Sequence, residues 1–321
     1  SKTLVSNFLI SPWANFDGLH YLSIAQYGYF QYQQAFFPFF PLLISFISFI
    51  FKGDYLISAI LISHASFFIS LLLLYKLIKS KWVIICLLFF PTSFFFASVY
   101  TESLFLCLVL GYFYSLKKEK WLAAGILSAL AGATRIVGIF LFPILLWKLA
   151  KEKKKTVSKI LSVFLSPLGL VSYMFYLWKE YGDPLMFFHI QPLFGANRSG
   201  EEIVFFPQVI YRYLKIFFLA DFSFEYLIAV FEFLSVFFVI FILLKNIKKL
   251  DILYQFFAWF LLFLPTLTGT LSSMPRYILA IFPIFIVLGN MNFKFKILYI
   301  LSSFILLTLF TALFLNGYFI S

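Results

Sequence analysis

The sequence predicts an all-α fold, a polytopic bundle of transmembrane helices, and three observations carry that prediction. The chain is 63% hydrophobic and only 12% charged, with a mean hydropathy of +0.99, where soluble domains carry roughly 25% charged residues. Apolar runs recur along its whole length, several of them near the ~20 residues that cross a bilayer. Its lysines fall in short clusters between those runs: Lys76–Lys81, Lys117–Lys120, Lys148–Lys159, Lys245–Lys249 and Lys294–Lys296. That pattern is the positive-inside signature. It accounts for the net charge of +12 without a nucleic-acid partner. The 49 phenylalanines suit an AT-rich coding sequence and point to no function. Cys86 and Cys107 lie inside apolar runs, so neither a disulfide nor a Cys-rich metal site is indicated.

The apolar segments run at about 36–51, 55–75, 82–116, 121–147, 157–178, 223–244, 252–271, 277–290 and 297–318. Residues 82–116 begin and end at lysine clusters, so they should form a hairpin turning near Pro91–Thr101, where Pro91 breaks the helix. Residues 121–147 are also flanked by lysine on both sides but are too short for two crossings. Two half-helices meeting near Gly132–Gly138, with Arg135 at the apex, fit that constraint; such backbone is tolerated only beside protein or a water-filled cavity. Residues 36–51 are expected as a re-entrant or interfacial pair of helices kinked at Pro38 and Pro41. The whole chain, 1–321, reads as one transmembrane domain. Within it, 1–35 forms an outer interfacial segment and 179–222 an outer loop. With lysines inside, the opposite, non-cytoplasmic face collects Asp17, His20, Glu102, Asp183, His189, Arg276 and, at depth, Arg135.

Several of these residues have two readings. In Asn15-Phe16-Asp17-Gly18-Leu19-His20-Tyr21, Asp17 is either the N-cap of a helix starting at Gly18 or a general base or metal ligand at the membrane surface, kept ionised by the helix N-terminus. Glu102 either belongs to a capping box opened by Ser98 or Thr101 or serves the site, by binding acceptor hydroxyls or by supporting Asp17. Arg135 is either a phosphate ligand, since ionisable groups at membrane depth are costly and usually functional, or one half of a salt bridge to Glu102 or Asp17. Asp183, in Tyr-Gly-Asp-Pro, suits a turn as well as a site. Arg276 is expected to begin a helix, as a substrate contact or an interfacial anchor. His64 is expected to be a packing residue. The spacing of Asp17, His20 and Asp183 is not ligand-like, so no cofactor or divalent metal is indicated.

The run FDGLHYLSIAQYGY followed by QAFFPFFPLL resembles the PIG-V family, the GPI mannosyltransferase II enzymes and their prokaryotic relatives among the GT-C glycosyltransferases. An aromatic residue before Asp17, then His20, Tyr21, Ile24–Ala25, Gly28–Tyr29 and Phe36–Leu43 match that family's motif in order. Pro91–Phe95 with Ser98–Phe105, Arg135 in ATRIVGIFLFP, Tyr181–Pro184 with Gln191, and Pro275–Tyr277 with Phe282–Pro283 continue the resemblance over 13–290. Phe16 stands where the family usually has Trp, and the family's first transmembrane helix, which precedes the Asp motif, is expected to be missing. The resemblance implies a polyprenyl-phosphate sugar donor, with mannose the expected sugar, and a glycan or glycolipid acceptor. It further implies transfer with inversion on the outer face. Asp17 is implied as the catalytic carboxylate, and His20, Tyr21, Glu102, Arg135, Asp183 and Arg276 as substrate-binding residues. By physical reasoning, Arg135 and Arg276 are the cations expected on the donor phosphate, because guanidinium suits bidentate phosphate contacts. The rival readings are a transporter or flippase of lipid-linked glycans and a non-catalytic homologue.

Overall fold

The structure, a computed structural model, describes residues 10–195 and 198–320. Residues 1–9 of the expected interfacial segment and 196–197 of the expected loop lie outside the described residues. Among the described residues all regular structure is helical, as the composition requires. Helices of two turns or more begin with α1 (Asp17–Tyr27), α2 (Phe39–Ser48), α3 (Tyr55–Ile78) and α4 (Lys81–Leu88). They continue with α5 (Glu102–Lys117), α6 (Trp121–Thr134), α7 (Leu141–Lys151), α8 (Val157–Leu165) and α9 (Leu168–Tyr181). The last are α10 (Phe206–Leu219), α11 (Phe224–Lys245), α12 (Ile252–Phe263), α13 (Phe282–Gly289) and α14 (Phe293–Leu315). Four stretches among the described residues are long and apolar enough to cross a membrane: α3, the α8–α9 run Val157–Tyr181, α11 and α14.

Local sequence sets the ends of these spans. Asp54 caps α3 by accepting from the Ile57 N–H at 2.9 Å, and Lys76 sits in its last turn, where a cation suits the helix dipole. Ser223 caps α11 in the same way through the Tyr226 N–H. Three expectations are corrected. Residues 36–51 hold a single ten-residue helix, α2, rather than a kinked pair. Pro38 and Pro41 fall at its start, where a missing N–H costs nothing. At 1.5 Å per residue α2 is about 15 Å long, half a bilayer core. The region expected as a loop, 179–222, contains the fourteen-residue α10. The segment 277–290 is not one helix but short turns, Met274–Tyr277 and Ile278–Ala280, followed by α13.

The chain divides into two compact units. The first comprises 1–80, 94–186 and 314–317. In it α3 packs on α5, α5 on α6, and α6 on α8 and α9. The α6 interface uses small residues, which let helix backbones approach closely where no hydrophobic force separates protein from lipid. Ser128 and Ser166 share a hydrogen bond of 2.5 Å between their hydroxyls. A Cβ on Gly169 would stand 1.7 Å from the Ala129 carbonyl oxygen, and one on Gly138 would stand 2.3 Å from the Ala131 carbonyl carbon. The second unit comprises 81–93, 187–313 and 318–321; in it α4 packs on α13, and α11 packs on α10 and on the Met274–Tyr277 turn.

The α6–α9 approach reverses an ordinary rule. In an open helix interior Gly→Ala stabilises by about 1 kcal/mol, whereas Gly169→Ala should destabilise by about 1–3 kcal/mol through overpacking. Denaturation in detergent micelles measures this; an unchanged or raised midpoint would contradict the close approach.

Candidate functional site

The first unit gathers most of the residues singled out in the sequence. Asp17 is not an N-cap: α1 begins at Asp17 itself, and the N-cap position is Phe16, with φ 58° and ψ −114° and no side-chain cap bond. The Gly18 N–H reaches the Asn15 carbonyl at 3.4 Å, so Asn15–Gly18 forms a turn of the II′ kind with phenylalanine where glycine is preferred. Such backbone costs of order 1–3 kcal/mol and persists only when its surroundings over-determine it. They do so here. The Val99 N–H donates to the Trp13 carbonyl at 2.9 Å, the Tyr100 hydroxyl to the Asn15 carbonyl at 2.9 Å, and the Asn15 amide to the Phe314 carbonyl at 3.0 Å. The Phe16 ring packs 6.0 Å from that of Phe314, and Gly18 leaves just enough room against Val99.

From that turn α1 carries His20 and Tyr21 inward. His20 stacks on Phe36 at 4.8 Å. Burial lowers its pKa, and the Asp17 carboxylate opposes that shift only partly, which keeps the imidazole neutral at pH 7. Tyr21 is buried edge-on against Phe36 and Phe40. Its hydroxyl feels the charges of Asp17, Glu102 and Arg135 together. Burial first, then the two carboxylates, push its pKa up, so Tyr21 stays a neutral phenol.

Glu102 and Arg135 form the other half. Arg135 donates from Nη1 to Glu102 Oε1 at 3.0 Å, and the two side chains are 12% and 2% exposed. The salt bridge between Arg135 and Glu102 expected as one reading is present. The capping box proposed for Glu102 is not formed: α5 starts at Glu102 after Thr101, which makes no side-chain cap bond. The chain breaks at Arg135, extended at φ −152° and ψ 141°, between α6 and the turn Ile136–Phe140. Two half-helices flanking Arg135 are therefore present, and the guanidinium also lies 5.7 Å over the Phe105 ring. Asp183 acts as a turn residue, accepting from the Leu185 N–H at 2.9 Å after the left-handed Gly182 ends α9.

Arg276 belongs to the second unit. It is buried in the single turn Met274–Tyr277, its guanidinium 5.4 Å over the Tyr277 ring. Near it in sequence lies a network the sequence reading missed. Tyr213 donates to the buried carboxylate of Glu232 at 2.5 Å and accepts from the Leu271 N–H at 3.1 Å. Arg198 donates to the Ser273 hydroxyl at 3.4 Å, and Arg212 to the Gly269 carbonyl at 3.0 Å. The signal was available: a carboxylate in the middle of an apolar span is expensive and needs a partner. Among the described residues no cluster of His, Cys, Asp or Glu could hold a metal ion.

Comparison with family models, with curated proteins and with solved structures finds no match to this chain.

The strain at Phe16 is directly testable. At an ordinary position alanine is more stable than glycine, but at this φ the order should invert, with Phe16→Gly about 1 kcal/mol more stable than Phe16→Ala. Paired denaturation curves of the two variants measure the difference. Alanine as the more stable of the two would contradict the turn.

Proposed function

We propose that this chain is a GT-C-type membrane glycosyltransferase that moves a hexose, mannose on this reading, from a polyprenyl-phosphate donor to a glycan or glycolipid acceptor with inversion. The observation that carries the proposal is the clustering of an aspartate on a strained turn, two neutral hydrogen-bonding side chains and a buried Arg–Glu pair in one unit. The motif resemblance around Asp17 agrees with it.

In this reading Asp17 takes the proton from the acceptor hydroxyl as its oxygen attacks the anomeric carbon. The bond from that carbon to the phosphate oxygen breaks, and the phosphate leaves with the electron pair. A phosphate leaves without strong acid help, so a single carboxylate base suffices. His20 and Tyr21, neutral at pH 7, orient hydroxyl groups without competing for that proton. Arg135 faces the developing charge on the phosphate, where a preorganised cation in a water-poor site is most effective, and Glu102 fixes its fork. The α5 helix places Glu102 about 23 Å along its axis from Lys117. By the positive-inside rule the reaction then takes place on the non-cytoplasmic face of a multi-pass protein.

The test is incubation of the purified protein with polyprenyl-phosphate mannose and candidate glycolipid acceptors, with products identified by mass spectrometry. Asp17→Asn keeps the size and should lower turnover by ~10²–10⁴-fold while donor binding is retained. Near-normal turnover in Asp17→Asn would remove the base from this position. Donor binding without any product from the parent protein would favour transport of lipid-linked glycans instead.

A further inference from the structure

The far end of the first unit carries a feature that the proposed reaction does not use. Eleven lysines fall at 76–79, 117–120 and 148–159 in this unit, against Glu119 and Glu152. Side-chain contacts bring these separate stretches together. Lys117 donates to the Leu77 carbonyl at 2.9 Å and Lys148 to the Leu116 carbonyl at 2.8 Å, so α3, α5 and α7 end side by side. The ammonium groups of Lys148 and Lys159 flank the Trp121 ring at 5.2 and 5.1 Å, which adds the starts of α6 and α8 to the same end.

Two of these cations are consumed internally, on carbonyls in the last turns of α3 and α5, and Glu152 is taken by Lys159. The lysines at 151 and 153–155 are exposed. A net charge of +9 at one end repels itself unless an anion lies against it. Trp147, 40% exposed, carries the Lys151 ammonium 3.6 Å from its ring. A half-buried indole under a cation is the pairing that sits at the level of lipid headgroups, and basic surfaces between helix ends suit phosphodiester headgroups.

We infer that this end of the first unit is a docking surface for anionic phospholipid headgroups, with Trp147 and Lys151 at its edge and the 153–155 lysines over it. The inference is independent of the proposed transferase activity, and its test does not measure turnover.

The protein is placed in nanodiscs of mixed phosphatidylglycerol and phosphatidylcholine, each lipid carrying a photoactivatable group in separate experiments. Cross-linked peptides are mapped by mass spectrometry. The phosphatidylglycerol probe should label peptides covering 117–121 and 147–159 several-fold more than the phosphatidylcholine probe, and inorganic phosphate should not compete. Changing Lys151, Lys153, Lys154 and Lys155 together to Gln should abolish the preference, and changing the same four to Arg should keep it. A matched control, Lys248, Lys249, Lys294 and Lys296 to Gln, should leave these peptides labelled as in the parent. Equal labelling by both probes would overturn the inference. So would a preference that survives the first Gln variant or falls equally in the control, or competition by inorganic phosphate. A Gln variant that fails to fold shifts the decision to the Arg variant, whose loss of preference would also overturn it.

Discussion

The buried ion pair between Arg135 and Glu102 is the constraint on which the first unit depends. An extended residue between two helices leaves backbone groups that lipid cannot satisfy, and a guanidinium at that depth cannot remain without a counter-charge. Glu102, almost wholly buried at the start of α5, supplies it. Each partner makes the other tolerable, since removing one leaves an uncompensated buried charge. The pair thereby fixes the α6 break against the first turn of α5. Gly138, seated against the Ala131–Gly132 backbone, closes the same break by packing.

A second constraint rests on the first. Residues 99 and 100, just before Glu102, hold the Asn15–Gly18 turn through the Val99 N–H and the Tyr100 hydroxyl. The strained φ at Phe16 therefore depends on the segment that also carries Glu102. In the proposed reaction the Asp17 carboxylate meets an acceptor hydroxyl in a fixed direction, and backbone that cannot relax serves that geometry. The α5 helix then separates this end from the lysine-rich end, one dominated by paired charge and the other by excess charge.

How much of this was legible in the sequence follows from which forces act locally. The long spans were legible because lipid as solvent demands contiguous apolar runs, and α3, α11 and α14 lie close to their expected limits. The break at Arg135 was legible because lysines on both sides forbid a single crossing. The conformation of Phe16 was not, since phenylalanine gives no turn signal and its φ is imposed by Val99, Tyr100 and Phe314, all distant in sequence. The single helix α2 was misjudged because two prolines suggest kinks unless both fall in the first turn. Glu232 escaped notice within an apolar run, although its isolation was itself the signal. The division into two units depends on long-range packing that no local pattern encodes.

A double-mutant cycle on Glu102 and Arg135 tests the central claim most directly. Glu102→Gln and Arg135→Gln are each compared with the parent and with the double variant by denaturation in one detergent. Each single change should destabilise by about 3–5 kcal/mol, because it strands a buried charge. The double variant, which buries two neutral amides and strands no charge, should lose less than the sum of the two single losses, by a coupling energy of about 1–3 kcal/mol. Losses that simply add would show that the pair does not hold the break, and the account of the first unit would fail with it.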